Sequence, residues 1–174
     1  MEWFREETRR HYAFNLIVRK HSPQLYSLVR RMVLDADDTN DILQNVFIKA
    51  WQALPKFRED ASLGTWLYRI ATNESISFLN RKRKFLFIPL KSEQAYLSEK
   101  LQTGAFTDFE AGEKLFQEAL LQLPQKQRLV FNMRFYDELS YEKIAEITGT
   151  SVGALKASYH HAVKKLEDFL NKQF

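Results

Sequence analysis

Apolar positions recur at helical spacing along most of the chain. Within residues 5–20, Tyr12, Leu16 and Arg19 stand one turn apart, which predicts an amphipathic helix. Pro23 suits a first helical turn and predicts a second helix over residues 23–34, with Leu25, Leu28, Val29 and Met32 as its stripe. An acidic link follows, Asp35-Ala36-Asp37-Asp38. Asp38 reads as the N-cap of a third helix, because carboxylates suit the positive end of a helix. That helix carries Leu43, Val46, Phe47, Ala50, Trp51 and Leu54 on one face, and Pro55 ends it. After a loop over residues 56–61, Ser62 caps a fourth helix. Its buried stripe is Leu63, Trp66, Leu67, Ile70, Ala71 and Phe78, and it runs into Arg81-Lys82-Arg83-Lys84.

The pattern weakens after residue 85. Residues 85–90 are short and apolar with Pro89. Residues 91–113 hold two glycines and an acidic excess in their second half, the composition of an interdomain linker, with some helix near residues 96–101. Periodicity returns with Leu115, Leu120 and Leu123. Pro124 opens a helix bearing Arg128, Val130, Phe131 and Phe135. Ser140 caps the next helix, over residues 141–148, and Gly149 breaks it. Thr150 or Ser151 caps a last long helix through Leu155, Tyr159, Val163, Leu166 and Leu170. The expected fold is therefore all-α: two small helical domains, residues 1–90 and 114–174, joined by a linker over residues 91–113. No strand pairing or internal repeat is visible.

The spacing within residues 140–162 has a physical meaning. Ala145 is small enough for a second helix to cross closely, Gly149 supplies a left-handed turn, and Leu155 locks the second helix onto the first. That is how a recognition helix is held at the angle of a major groove, although a plain helical hairpin has similar residues. The solvent side would present Lys156, Ser158, His160, His161 and Lys164, with Ser151 at the helix start, to phosphates and base edges. The fourth helix mixes aromatics with polar groups before its basic end. Aromatics stack on unpaired bases and cations track a backbone, but a core tryptophan with a solvated basic end has the same composition.

Composition narrows the classes. Of 174 residues, 45% are hydrophobic and 28% charged, a globular balance, and 5 Gly with 4 Pro leave few loops. With no cysteine there is no disulfide or thiolate metal site, which fits a reducing cytoplasm. The first residues lack a signal-peptide core, and no apolar run approaches the roughly 20 residues of a membrane span, so no membrane insertion is expected. A net charge of +4 hints at nucleic acid. Asp35, Asp37, Asp38 and Asp41 come without a glycine-bearing calcium loop, and helix-start acids are the commoner reason for them. His160 and His161 point about 100° apart on a helix and are poorly placed to share an ion. No phosphate loop or activated Ser/His/Asp arrangement is present. No catalysis, metal or cofactor is expected.

Three ordered segments carry a resemblance. Asp41-Ile42-Leu43-Gln44-Asn45-Val46-Phe47-Ile48-Lys49-Ala50-Trp51 resembles the second conserved segment of extracytoplasmic-function (ECF) sigma factors. Phe57-Arg58, Thr65-Trp66-Leu67-Tyr68-Arg69-Ile70-Ala71 and Asn73 resemble the segment of that family that melts promoters and reads the minus-ten element. Leu123-Pro124, Arg128, Phe131, then Leu139 to Ala145 and Val152 to Lys156, are similar to its C-terminal domain.

The resemblance implies roles and partners. Core RNA polymerase would dock on Asp41 and Gln44 with their neighbours Asn45 and Lys49. Melted promoter DNA would meet Lys56, Phe57, Arg58, Asp60, Trp66, Arg69, Asn73, Arg81 and Arg83, with Asn73 at a base-capturing position. Duplex DNA at minus thirty-five would meet the last helix, and the linker would thread toward the RNA exit path. An anti-sigma factor, which many relatives have, would be a further partner. Two departures bear on sequence preference: Ile76 and Ser77 stand where many relatives place basic or amide groups, and Ala157-Ser158-Tyr159-His160-His161-Ala162-Val163 replaces an arginine-bearing run. The alternatives are a polymerase-independent helix-turn-helix regulator, which would leave the N-terminal domain without a task, and a protein-interaction adaptor.

Overall fold

The computed structural model describes residues 7–57, 61–85, 91–103 and 111–173, with backbone only for residues 7, 8, 83–85, 91–93, 103 and 111. Among the described residues there are eight helices and no strand: α1 (Glu7–Val33), α2 (Ala36–Ala53), α3 (Leu63–Phe85), α4 (Lys91–Thr103), α5 (Ala111–Leu121), α6 (Gln125–Phe135), α7 (Tyr141–Thr148) and α8 (Val152–Leu170). A 3-10 turn, Leu54–Lys56, follows α2 at Pro55. The all-α class agrees with the sequence.

Local details differ at three places. The two expected N-terminal helices are one, with Pro23 inside α1. Proline removes one backbone donor and crowds the carbonyl four residues back. The helix continues because Phe14 and Ile17 before the proline, and Leu25, Leu28, Val29 and Met32 after it, all pack on the same core. Second, Tyr12 and Leu16, the expected stripe, are 68% and 49% exposed, and Phe14 and Ile17 face inward instead. Third, the N-cap of α2 is Asp35, not Asp38. Asp35 has extended backbone, φ −130° and ψ 133°, and its carboxylate accepts the Asp38 N–H at 2.9 Å.

The capping pattern elsewhere follows the sequence. Ser62 accepts the Thr65 N–H at 3.2 Å at the start of α3. Ser140 caps α7, and Ser151, rather than Thr150, caps α8. Gly149 adopts φ 69°, and its N–H closes α7 on the Ala145 carbonyl at 2.9 Å.

Part of the expected linker is folded. α4 buries Leu97 and Leu101 in the main core. Its polar side is tied down as well: Lys100 donates to Asp35 at 2.7 Å, and the Tyr96 hydroxyl donates to Asp38.

One hydrophobic core runs through both modules. It joins Leu28, Met32, Val46, Leu67 and Ala71 of α1–α3 to Leu129, Val130 and Met133 of α6, to Ile144 and Ile147 of α7, and to Leu155 of α8. A second, smaller cluster belongs to the C-terminal module: Ala119, Leu120, Leu123, Phe131, Ala162 and Leu166.

Candidate nucleic-acid interface

The first polar surface lies on α2. Ile42, Leu43, Val46 and Ala50 are buried, so the helical period turns Asp41, Gln44, Asn45 and Lys49 to solvent, where all four are exposed. Ile48 sits among them, 48% exposed. The sequence reading passed over it, although its distance of three and four residues from Asn45 and Gln44 was a usable signal. Lys49 pairs with Glu74 of α3, so this surface continues onto the next helix.

The second surface begins at the 3-10 turn. Lys56 is exposed. Phe57 packs against Trp66 with ring centroids 4.9 Å apart and planes tilted 44°. Trp66 is half-buried: it packs on the main core and still reaches the surface beside the loop. Arg58 and Asp60 lie outside the described residues, as does the side chain of Arg83. Arg69 and Asn73 follow on the same side of α3 and are exposed. Arg69 donates to the backbone carbonyl of Glu146 at the end of α7.

Asn73 borders a cavity of about 220 Å³. Thr72 and Ile76 line it from α3, and Thr148, Thr150, Leu155 and Ser158 from the other module. Arg81 is exposed at the basic end. Lys82 is held back by Asp38 at 3.6 Å and by the faces of Phe78 and Tyr96 at 5.1 and 5.4 Å.

The third surface is the helix-turn-helix. Leu155 is buried, which fixes α8 on α7. Lys156, His160, His161 and Lys164 are exposed, as is Ser151, whose hydroxyl accepts the Ala154 N–H at 3.3 Å. Ser158 departs from the solvent face expected for it: it is half-buried and turned to the cavity. The imidazoles of His160 and His161 are 6.0 Å apart and tilted 54°. No grouping of three or more metal-ligating side chains occurs among the described residues.

Tyr141 and Arg134 join this surface without having been singled out from the sequence. The Arg134 guanidinium lies 5.4 Å and the Lys156 ammonium 5.8 Å from the Tyr141 ring centre, a cation–aromatic cluster at the start of α7. The available signals were the position of Tyr141 directly after the cap Ser140 and of Arg134 in the last turn of α6.

Two carboxylates have shifted acidities with opposite causes. The Asp38 N–H and then the Lys100 ammonium hold Asp35 below its ordinary value. Burial pushes Asp137, between α6 and α7, above its ordinary value, although Arg31 of α1 pairs with it. Burial and the Asp137 charge push the Tyr68 hydroxyl up to about 12.

Fold and site together define a two-module helical protein with a helix-turn-helix at its C-terminal end. Residues 17–85 match the family model for sigma-70 region 2, and residues 113–166 match that for sigma-70 region 4. The chain is 32% identical over 168 residues to the RNA polymerase sigma-H factor of Pseudomonas aeruginosa, covering 91% of this chain and 86% of that protein. It is 34% identical over 166 residues to the ECF RNA polymerase sigma-E factor of Escherichia coli K12, covering 90% and 85%. Among solved structures it resembles the sigma factor RpoE in complex with the anti-sigma factor NepR from Bartonella quintana (TM-score 0.67, 21% identity, 91% of this chain and 97% of that one). It also resembles CnrH in complex with the cytosolic domain of CnrY (TM-score 0.67, 22% identity, 94% and 91%). The chain belongs to the ECF family of RNA polymerase sigma factors. It therefore binds core RNA polymerase and promoter DNA and directs transcription initiation, as a member of a regulatory, non-catalytic class. No described helix is long and apolar enough to cross a membrane.

Proposed function

We propose a division of labour among the three surfaces. Asp41, Gln44, Asn45, Ile48 and Lys49 of α2 dock on core polymerase. Lys56, Phe57, Trp66, Arg69 and Asn73 receive the melted minus-ten strand, with Arg81 at the basic end and Arg58, Asp60 and Arg83 as further contacts. Lys156, His160, His161 and Lys164 of α8 read or grip the minus-thirty-five duplex, with Ser151 at the helix start and Ser158 beside the cavity.

The observation that carries this reading is the placement of three polar surfaces on three different helices, each backed by a buried apolar stripe. A polymerase-independent regulator would use only α7 and α8 and would leave the α2 face idle. The assignments of residues 1–90 and 114–174 as the polymerase-and-minus-ten part and the minus-thirty-five part, with residues 91–113 between them, follow the same division. The cytoplasm, where polymerase works, is the proposed place of action. The relative captured with the anti-sigma factor NepR supports an anti-sigma factor as a further partner.

The test is to combine the purified chain with core polymerase and sequence the transcript starts on genomic DNA. A shared pair of upstream elements supports the reading. Retarded DNA in a gel without polymerase, together with no core binding, would favour the regulator.

A further inference from the structure

The cavity beside Asn73 combines an aliphatic floor with polar groups that the protein leaves unused. Leu129 and Val130 of α6 and Leu155 of α8 form the floor and are buried, and Ile76 of α3 closes one side. The volume of about 220 Å³ is the share of roughly seven liquid waters. That is below the range of drug-sized pockets, so the cavity suits a small occupant.

The hydroxyls in and around the wall are unequally satisfied. Ser75 donates to the Ala71 carbonyl and Thr148 to the Ile144 carbonyl, both at 2.8 Å. These are the bonds to the carbonyl four residues back that a helical hydroxyl can make. Thr72 does not make it. The residue is 3% exposed, and its hydroxyl has no hydrogen-bond partner among the described residues. A buried hydroxyl in that state is costly until a ligand or a water completes it. Thr72 lines the cavity, so the completing atom belongs there.

Lys126 supplies a charge on the same wall. It is exposed and makes no ion pair among the described residues. It lies in the first turn of α6, where the positive helix end disfavours a cation and no acidic side chain of that turn offsets it. An anion at the cavity mouth would relieve it.

We propose that this cavity binds a small hydroxylated organic acid, with its carboxylate at Lys126, its apolar body on Leu129, Val130 and Leu155, and its hydroxyl at Thr72. Such an acid meets all three features at once. An inorganic anion would leave the aliphatic floor wet, and a neutral alcohol would leave Lys126 unused. The wall also includes Asn73 of α3 and Ser158 of α8, so the acid touches both modules. The site stands on this geometry and is independent of the assignment of the three surfaces to polymerase and DNA.

The three hydroxybenzoate isomers, benzoate and the three neutral hydroxybenzamides serve as probes. Each is titrated calorimetrically into the full chain up to about 10 mM, which covers dissociation constants near 1 mM. One hydroxybenzoate should bind at one site per chain, more tightly than benzoate. It should also bind about tenfold or more tightly than its amide, through a charge-assisted contact. Lys126→Glu should remove that preference for acid over amide. Lys172→Glu makes the same charge change on an exposed residue beyond the end of α8 and should leave binding unaltered. Thr72→Val is nearly isosteric and removes only the hydroxyl. The advantage of the hydroxybenzoate over benzoate should then vanish while benzoate binds as before. Circular dichroism reports whether each variant is folded. Lys126→Glu alters an exposed side chain and decides the matter even where Thr72→Val does not fold.

No saturable binding by any of the acids would overturn the proposal and leave the cavity to water. So would equal binding of acid and amide, or a preference for the acid that survives Lys126→Glu. A loss just as large in Lys172→Glu would mark a general charge effect and overturn it as well. A preference for the hydroxyl that survives in folded Thr72→Val would place the acid elsewhere.

Discussion

Lys100 donates to Asp35 across 2.7 Å, tying α4 to the residue that caps α2. The Asp35 carboxylate thus serves two elements at once. Its acidity is held below the ordinary value by the Asp38 N–H first and by Lys100 second. A carboxylate with a depressed folded value stabilises the fold above its unfolded value, and that contribution is lost as pH falls through the folded one. The stability difference between wild type and Asp35→Ala should be about 0.5–2 kcal/mol at neutral pH, the range for a lost N-cap. It should shrink as pH falls below about 4. Asp35→Asn keeps a capping oxygen and should lose less. Urea unfolding of the three proteins between pH 7 and pH 3 gives the comparison.

Ile48 should contribute more to polymerase binding than any polar neighbour. An exposed aliphatic side chain ringed by polar groups has the anatomy of an interface anchor. Ile48→Asp should weaken core binding about tenfold or more, equivalent to about 1.4 kcal/mol or above, with little change in melting temperature. Asp41→Lys should weaken it less and in a salt-dependent way. Equal affinities for all three proteins would remove this face from the polymerase interface.

Asn73→Ala tests strand capture. An amide offers both a donor and an acceptor to the edge of an unpaired base. The variant should open a duplex promoter slowly, and a premelted promoter should partly rescue it because the unpairing is already done. Abortive transcription on the two templates reads the ratio. The same defect on both would indicate damage unrelated to melting.

Gly149→Ala isolates the turn. Nothing lies within 4 Å of an added Cβ, so only the positive φ of 69° opposes the change. The left-handed penalty is about 1–2 kcal/mol. Minus-thirty-five binding should fall with no change in its salt slope, because no charge is altered. A melting temperature equal to that of wild type would mean that the turn relaxes freely.

On α8, Lys156→Ala distinguishes gripping from reading. A phosphate contact should weaken all promoters alike and reduce the salt slope by about one. A base contact should concentrate a loss of about 1–3 kcal/mol at one position. His161→Arg should strengthen binding and steepen the slope where that position faces the backbone, since arginine is charged at neutral pH and histidine mostly is not. Holoenzyme binding to promoter variants over a salt series separates these outcomes.

Short-range signals were legible in the sequence, and long-range ones were not. Ser140, Gly149 and Ser151 act within three or four residues, so their spacing alone marked the helix-turn-helix. Asp35 and Asp38 are chemically alike, and only the extended backbone at Asp35 decides which one caps α2. Pro23 obeys a local rule that the packing on both sides of it overrides. α4 buries only Leu97 and Leu101 among its described side chains, too faint a stripe to stand out, and it is held by Asp35 and Asp38 from far upstream. The cavity wall that Ser158 shares with Asn73, like the Arg31–Asp137 pair, exists only once the two modules meet.

The continuous core between the modules has a thermal consequence. Separating them uncovers aliphatic surface, and hydrating such surface carries a positive heat capacity. The attraction between the two halves therefore weakens on cooling. Two modules joined chiefly through leucine, isoleucine and valine would part more readily in the cold.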